Sequence, residues 1–530
     1  MNKMMKKIKE HCVEIILAAI ISLFIVLGRK VVFNGNVAAG LDANYFKDFI
    51  VTDLFVFILS FIVLSVLISF MYIFIGKIKW SYITVKKKEE RKLFFLFYII
   101  FSLFWLPYLL SFAPGSVLGD SFSSIHQIMN HSLSNHHPVF YTLIIGFFMK
   151  AGSLFGGINV QIFLYTCFQY TVMAASLAYA MLWMYRRGVP KWVMAIFCLY
   201  YGVMPFFPSY AIIMWKDPLF SIAIMWYSFL LYEAMEYREN FNNTIWLIKM
   251  GFFSALVIFL RNNGIYIVVL TTIACCIFCS FKMKRYMIMT TGILLVSIII
   301  QGPVYDKAGV KKESVESLGV PLQQLAYTVI KEENKLSEEQ KQILDRLYPL
   351  EMWGQTYAPC RIDNIKWNHD FNAEYLENNT GTILKIWIAL LPKCFGSYVK
   401  AYCLETVGFW HPYMQNKYGY IDIYIADNQD GVHEIDLFNK FFHLDIRELI
   451  HKFKPQLGTG TLFIIMLIMW GYCIKNKKKN YNILFVPAFG CWLTIMIATP
   501  VAFSLRYVYI MALQLPVYLT VPFFSGKSKM

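Results

Sequence analysis

Two acidic residues stand in polar breaks between long apolar runs, each with neighbours suited to chemistry. Asp120 lies in Pro114-Gly115-Ser116-Val117-Leu118-Gly119-Asp120-Ser121, followed by Gln127, Asn130-His131 and Ser134-Asn135-His136-His137-Pro138. It is a lone carboxylate among amides, hydroxyls and histidines. Asp217 lies in Met214-Trp215-Lys216-Asp217-Pro218. Either acid reads as a helix cap, Asp120 through Ser121 and Phe122, and Asp217 ahead of a proline at the first helical position. A Lys-Asp pair held against hydrocarbon costs free energy, however, and such groups serve sites more often than packing. Two arginines join the set: Arg261 in Arg261-Asn262-Asn263-Gly264, and Arg506 in Ser504-Leu505-Arg506-Tyr507. Each can snorkel to headgroups. Together they offer fixed guanidinium forks beside an apolar groove, which is what a phosphate-bearing lipid requires. Two acids in adjacent turns then read as one shared site.

The elements that must hold these residues are membrane spans. Of 530 residues, 58% are hydrophobic and only 15% charged, a balance that leaves a water-soluble domain too little polar surface. Apolar runs long enough to cross about 30 Å of hydrocarbon recur, each closed by charges or a Gly/Pro cluster. The formal charge of +16 comes from Lys and Arg clustered at the ends of those runs. That is the pattern of topology signals beside anionic lipid, not of a nucleic-acid-binding face. Cys275, Cys276 and Cys279 fall within an apolar run and read as packing residues. Cys360, Cys394 and Cys403 lie in a segment read as external, an odd set that implies no disulfide framework. The absence of a Gly-rich phosphate loop argues against a nucleotide-driven pump, and the lack of repetition between the halves argues against an inverted-repeat transporter.

Lys3, Lys6, Lys7 and Lys9 place the N-terminus in the cytoplasm, and spans at 13–32 and 53–75 return the chain to a basic stretch, Lys77 to Lys92. A span at 93–112 exits, so 113–137 faces outward. The run 138–155 reads as a helix lying at the outer surface or re-entering, because a full crossing would put Arg186, Arg187 and Lys191 outside after the span 159–185. Spans at 193–209, 218–235, 246–260, 264–281 and 286–302 follow, with Arg238 and Lys282, Lys284 and Arg285 at cytoplasmic turns. Residues 303–458 form a long external segment in which Ser337 and Gln340 make a capping box and 383–404, with its central Pro392, reads as an interfacial helix. Spans at 459–474, 482–499 and 506–524 close the chain before Lys527 and Lys529. The expected fold is an all-α polytopic membrane protein with about twelve transmembrane helices, both termini cytoplasmic, outer juxtamembrane helices and a mixed external segment. Its parts are 1–92, 93–302, 303–458 and 459–530.

The order of an outer Gly119-Asp120, a Ser134-Asn135-His136-His137-Pro138 ahead of an apolar helix, a Lys216-Asp217 after the next spans and a late Arg506-Tyr507 resembles the integral-membrane glycosyltransferases of the GT-C superfamily. Among these it most resembles the bacterial cell-surface polysaccharide branch, which is distantly similar to protein O-mannosyltransferases and aminoarabinose transferases. The resemblance covers about 90–302 and the last spans. It implies a sugar moved from a polyprenyl-phosphate donor to a hydroxyl of a cell-envelope glycan or polymer at the outer face. It further implies Asp120 as the general base of a single inverting displacement, with Asp217 orienting its surroundings or holding a divalent cation, Mg or Mn, with it. Lys216, Arg261, Arg506 and Tyr507 then bind the donor phosphate. Gln127, His136 and His137 support the site, the histidines as hydrogen-bond donors, metal ligands or simply a cap on the next helix, and Glu405 lines the acceptor path. Many relatives carry two adjacent acids where this chain has Gly119-Asp120, which leaves the partner's role open. The implied partners are the lipid donor, the glycan acceptor and membrane lipids, with no nucleic acid. Two other readings stand beside this one: a carrier that flips a lipid-linked glycan or exports a polymer, and a non-catalytic subunit of envelope assembly. Transport calls for ionisable residues near the midplane of several spans, whereas here the acids gather in outer turns.

Overall fold

The computed structural model describes residues 11–32, 46–278, 283–311, 318–412, 421–455, 457–498 and 500–525. Lys3, Lys6, Lys7, Lys9, Cys279, Lys282, Lys527 and Lys529 lie outside them. Among the described residues every regular element is helical, and extended pairing is confined to isolated bridges.

Six helices are long and apolar enough to cross a membrane: Cys12–Lys30, Val51–Lys77, Lys87–Ser111, Ile158–Arg186, Lys216–Glu236 and Lys284–Lys307. The Val51–Lys77 helix shows why lipid must surround the chain. It is apolar on all sides, yet Leu59 and Phe70 are 65% and 67% exposed, an arrangement stable only in hydrocarbon. The chain is therefore a multi-pass membrane protein. Two further helix pairs raise the count of candidate spans to as many as eight if each pair is one span, Lys191–Val203 with Phe206–Ile212 and Ala373–Leu390 with Phe395–Phe409.

Proline accounts for the main departures from the expected boundaries. The run expected at 193–209 bends by 49° at Pro205, which withholds an amide and disfavours helical backbone at Met204. The interfacial helix expected at 383–404 is instead two helices bent by 113° around Pro392. The last run, 506–524, is divided into Leu505–Val508, Tyr509–Leu513, Leu515–Thr520 and Val521–Phe523, with Pro516 and Pro522 inside it. The described part of the 303–458 segment combines helices with a non-helical stretch, 421–436, that bridges Val117 through Ile425 and Ala113 through Ile435. Within it the Ser337 box forms as expected, Gln340 N donating to Ser337 Oγ at 3.2 Å and Ser337 N to Gln340 Oε1 at 3.0 Å. Val139–Gly152, with 14 residues, is shorter than the roughly 20 a crossing needs. Cys360, Cys394 and Cys403 are buried.

Lys216–Glu236 is the central helix, buried along nearly its whole length. Its 21 residues span about 30 Å and join two ends of different chemistry. At one end Arg187 pairs with Glu236 at 2.8 Å and Arg186 with Glu90 at 2.7 Å, while Ile83 N donates to Arg186 O at 3.0 Å. At the other end the backbone around Ser116 is clasped between two segments, bridging Ile213 on one side and, through Val117, Ile425 on the other. Lys216 and Asp217 open the central helix at this second end.

Candidate active site

Three chain segments place the first acid. Met214 N donates to Ser116 O at 3.0 Å, and Ser116 N to Ile212 O at 2.9 Å, so the stretch before Asp120 is held against the stretch before Lys216. The helix Gly119–Met129 then begins with Leu118 N donating to Ser121 Oγ, whose hydroxyl donates in turn to Met214 O at 2.7 Å. Gln169, a buried amide on the Ile158–Arg186 helix, fixes the same backbone from behind: its Nε2 donates to Tyr210 O at 3.0 Å and Ile213 O at 2.6 Å.

Asp120 sits in the first turn of its helix and Asp217 in the first turn of the central helix, so neither is the capping residue that its neighbours suggested. Their carboxylates turn to arginines instead. Arg506 Nη2 donates to Asp120 Oδ2 at 2.9 Å, and its Nε lies 3.5 Å from Asp217 Oδ2. Arg261 Nη1 donates to Asp217 Oδ1 at 2.7 Å. The Tyr507 ring lies between the two guanidinium groups, 4.8 Å from Arg261 and 4.9 Å from Arg506, and Trp215 faces Arg506 at 4.4 Å. These π faces hold planar cations without neutralising them.

Local sequence explains how each arginine reaches the site. Arg261 ends the Thr244–Leu260 helix, and the chain reverses at once into Gly264–Phe278. A Cβ on Gly264 would run into the Val257 carbonyl, so only glycine allows the two helices to close over Arg261. Arg506 follows Phe503, whose φ of 69° is a left-handed conformation rare for an aromatic residue and one that tends to persist at functional sites. Stacking of Tyr509 on Tyr210 at 4.0 Å packs the residues after Arg506 onto the Phe206–Ile212 helix.

Lys216 Nζ donates to His137 Nδ1 at 3.0 Å, which requires a neutral imidazole. Burial pushes the His137 pKa well below its ordinary value, and the Lys216 charge pushes it further. For Asp120 burial acts upward, but the charges of Arg506 and Lys216 outweigh it and hold the carboxyl below the usual carboxylate range. The two acids differ in access: the Asp120 side chain is 37% exposed, that of Asp217 only 1%. Three cations thus face two carboxylates, and the excess is positive.

The remaining expected residues divide. His136 stacks edge-on against Trp367 at 5.3 Å and lies 4.4 Å from the His137 ring. Gln127 does not join the charged group; its Oε1 accepts from Ser134 N at 2.9 Å and closes the loop before the histidines. Glu405 is fully buried, within electrostatic reach of Lys366 and Asp363. A divalent cation on Asp120 and Asp217 does not fit: both Asp217 oxygens and one of Asp120 already face guanidinium groups, and two further positive charges would add to the three present. Gln169, Ser121 and Trp215 also build the site. A glutamine inside an apolar run is a signal that finds Gln169; nothing in the sequence points to the other two.

Residues 125–526 match a family described as a family of unknown function (DUF6020). Neither curated proteins nor solved structures provide a match.

Proposed function

The chain belongs to DUF6020, and from the charged site at the end of its central helix we propose that it is an integral-membrane glycosyltransferase of the GT-C type. In this reading twelve crossings form when Lys191–Ile212, the shorter apolar helices Thr244–Leu260, Gly264–Phe278, Thr459–Lys475 and Val486–Ile497, and the broken 505–523 segment are counted with the six long helices, Val139–Gly152 staying at the outer surface. The Arg186–Arg187 end faces the cytoplasm by its basic character, and the Asp120 end faces outward. The protein transfers a sugar from a polyprenyl phosphate to a hydroxyl of an envelope glycan or polymer.

One observation carries the reading: Arg506 contacts the accessible acid and the buried acid at once. A donor phosphate competes with Asp120 for that guanidinium, because phosphate and carboxylate take the same fork. Once Arg506 turns to phosphate, Asp120 is released as a base. The acceptor hydroxyl attacks the anomeric carbon, its proton passes to Asp120, and the bond from that carbon to the phosphate oxygen breaks with inversion. Polyprenyl phosphate leaves with its new negative charge near Arg261, Arg506 and Lys216. Asp217 is a positioning residue that orients both arginines and does not touch the reacting atoms.

The test is the glycan composition of envelope polymers from cells with wild type, a deletion, or Asp120→Asn at matched expression. Loss of the same sugar in the deletion and in Asp120→Asn supports transfer and identifies the donor sugar. A wild-type glycan in Asp120→Asn, with polymer lost in the deletion, would replace transfer by a carrier or assembly role.

A further inference from the structure

A second polar cavity adjoins the charged site and is not used by the chemistry above. It is an open hollow of about 560 Å³ lined by residues that include Gln355, Arg361, Asp363, Asn364, Trp367 and Asn368. That volume is within the range of small-ligand sites. Its floor is fixed from below. Gln323 Nε2 donates to Ala358 O at 2.7 Å and Pro359 O at 3.1 Å, and the wholly buried ammonium of Lys366 lies 3.4 Å from Asp363. Its far wall is fixed to the site: Ala502 N donates to Cys360 O at 3.0 Å, ahead of Arg506, and Trp367 meets the His136 ring. His136 touches His137, which accepts from Lys216. The cavity and the reacting acid thus share one rigid frame.

The lining identifies the class of ligand. Trp367 is 59% exposed, a large indole left open at the rim of a polar cavity. Two amides of asparagine, one of glutamine, a carboxylate and a guanidinium surround it, a set rich in paired donors and acceptors with no apolar wall for an acyl chain. A pyranose matches this set: its C–H face covers an indole and its hydroxyls exchange hydrogen bonds with planar amide and charged groups. We infer that the cavity around Trp367 and Asn364 is a saccharide-binding subsite that holds the acceptor glycan beside Asp120. Binding of saccharide follows from the cavity alone, whereas its role as acceptor subsite rests on the transferase reading.

The experiment uses the full chain in lipid nanodiscs and a probe set of tri- and tetrasaccharides of glucose, galactose, mannose or N-acetylglucosamine, read by saturation-transfer NMR and titration. At least one probe is expected to bind the wild type. Trp367→Ala and Asn364→Ala are expected to weaken it about tenfold each, as for one lost stacking or hydrogen-bonding partner. Trp367→Phe restores part of the affinity. Unfolding temperatures and monodispersity establish that the variants are folded. Binding of no probe by the wild type, or equal binding by folded Trp367→Ala, overturns the inference. If binding depends on Trp367 while Asp120→Asn leaves cellular glycans unchanged, the saccharide site stands and the transferase reading falls. If Asp120→Asn abolishes the sugar while folded Trp367→Ala keeps wild-type binding, the subsite falls and transfer stands.

Discussion

Arg506 donates to Asp120 at 2.9 Å across 386 positions of sequence, and the same guanidinium faces Asp217 at 3.5 Å. One planar cation therefore couples an accessible carboxylate to a buried one. On the proposed transferase reading, its position decides whether Asp120 is held or free, which would give the site one state without donor phosphate and one with it.

Asp120→Asn keeps size and shape but removes the proton acceptor. Sugar transfer is expected to fall by about 10²–10⁴, the usual contribution of a positioned base, while the protein still folds. Arg506→Lys keeps charge but loses the fork. It is expected to raise the KM for the lipid donor as well as lower kcat, measured with saturating acceptor.

Removing Asp217 leaves Arg261 without its carboxylate in a buried setting. Asp217→Asn is expected to cost about 3–5 kcal/mol, as when one partner of a buried pair is deleted. The double variant Asp217→Asn with Arg261→Met should recover part of that loss, because no uncompensated cation remains. Unfolding in detergent measures both; equal stability of the single variant and wild type would refute the pairing.

His137 has a folded pKa below its unfolded value of about 6.5, so the unfolded chain binds the extra proton first. The stability it contributes is fully present above about pH 6.5 and is lost as pH falls from there toward the folded pKa. Wild type is therefore expected to lose up to about 1.4 kcal/mol per pH unit more than His137→Gln between about pH 6.5 and about pH 5. Parallel stability profiles for the two proteins would show that His137 is not kept neutral. Asp120, lowered in the fold, contributes in the same direction but at lower pH, below its unfolded value of about 3.9.

Gly264→Ala places a methyl against the Val257 carbonyl and is expected to displace Arg261 from Asp217. Reduced folded yield and lost activity should accompany it. Gly292→Ala is the control: its Cβ meets nothing within 4 Å, and an alanine within a helix is expected to stabilise by roughly 0.5–1 kcal/mol.

Gln169→Leu tests positioning at a distance. The amide donates to backbone carbonyls on both sides of the turn that leads to Lys216, and leucine removes that donor as well as the acceptor of the buried Tyr165 hydroxyl, 2.8 Å from Gln169 Oε1. A destabilisation of about 1–3 kcal/mol is expected, with activity falling although the residue touches no acid of the site. Wild-type kcat in a destabilised Gln169→Leu would separate stability from positioning.

The sequence by itself determined the solvent and the local structure. Long apolar runs need about 20 helical residues to cross hydrocarbon and satisfy their own backbone there, so membrane residence and all-helical architecture are legible from composition and run length. The Ser337–Gln340 capping box was legible for the same reason, since it depends on neighbours three residues away. The chemical types at the site were legible too, as Asp120, Lys216, Asp217, Arg261 and Arg506 each interrupt apolar sequence. Tertiary structure alone decided their partners. Packing of the central helix buries Asp217 between Arg261 and Arg506 and leaves Asp120 accessible, which separates the two acids in role and removes the seat for a metal. It also sets the Trp367 cavity beside the histidines. Contacts of this kind join residues hundreds of positions apart, and hydrophobic periodicity carries no information about which polar groups meet once the helices have packed.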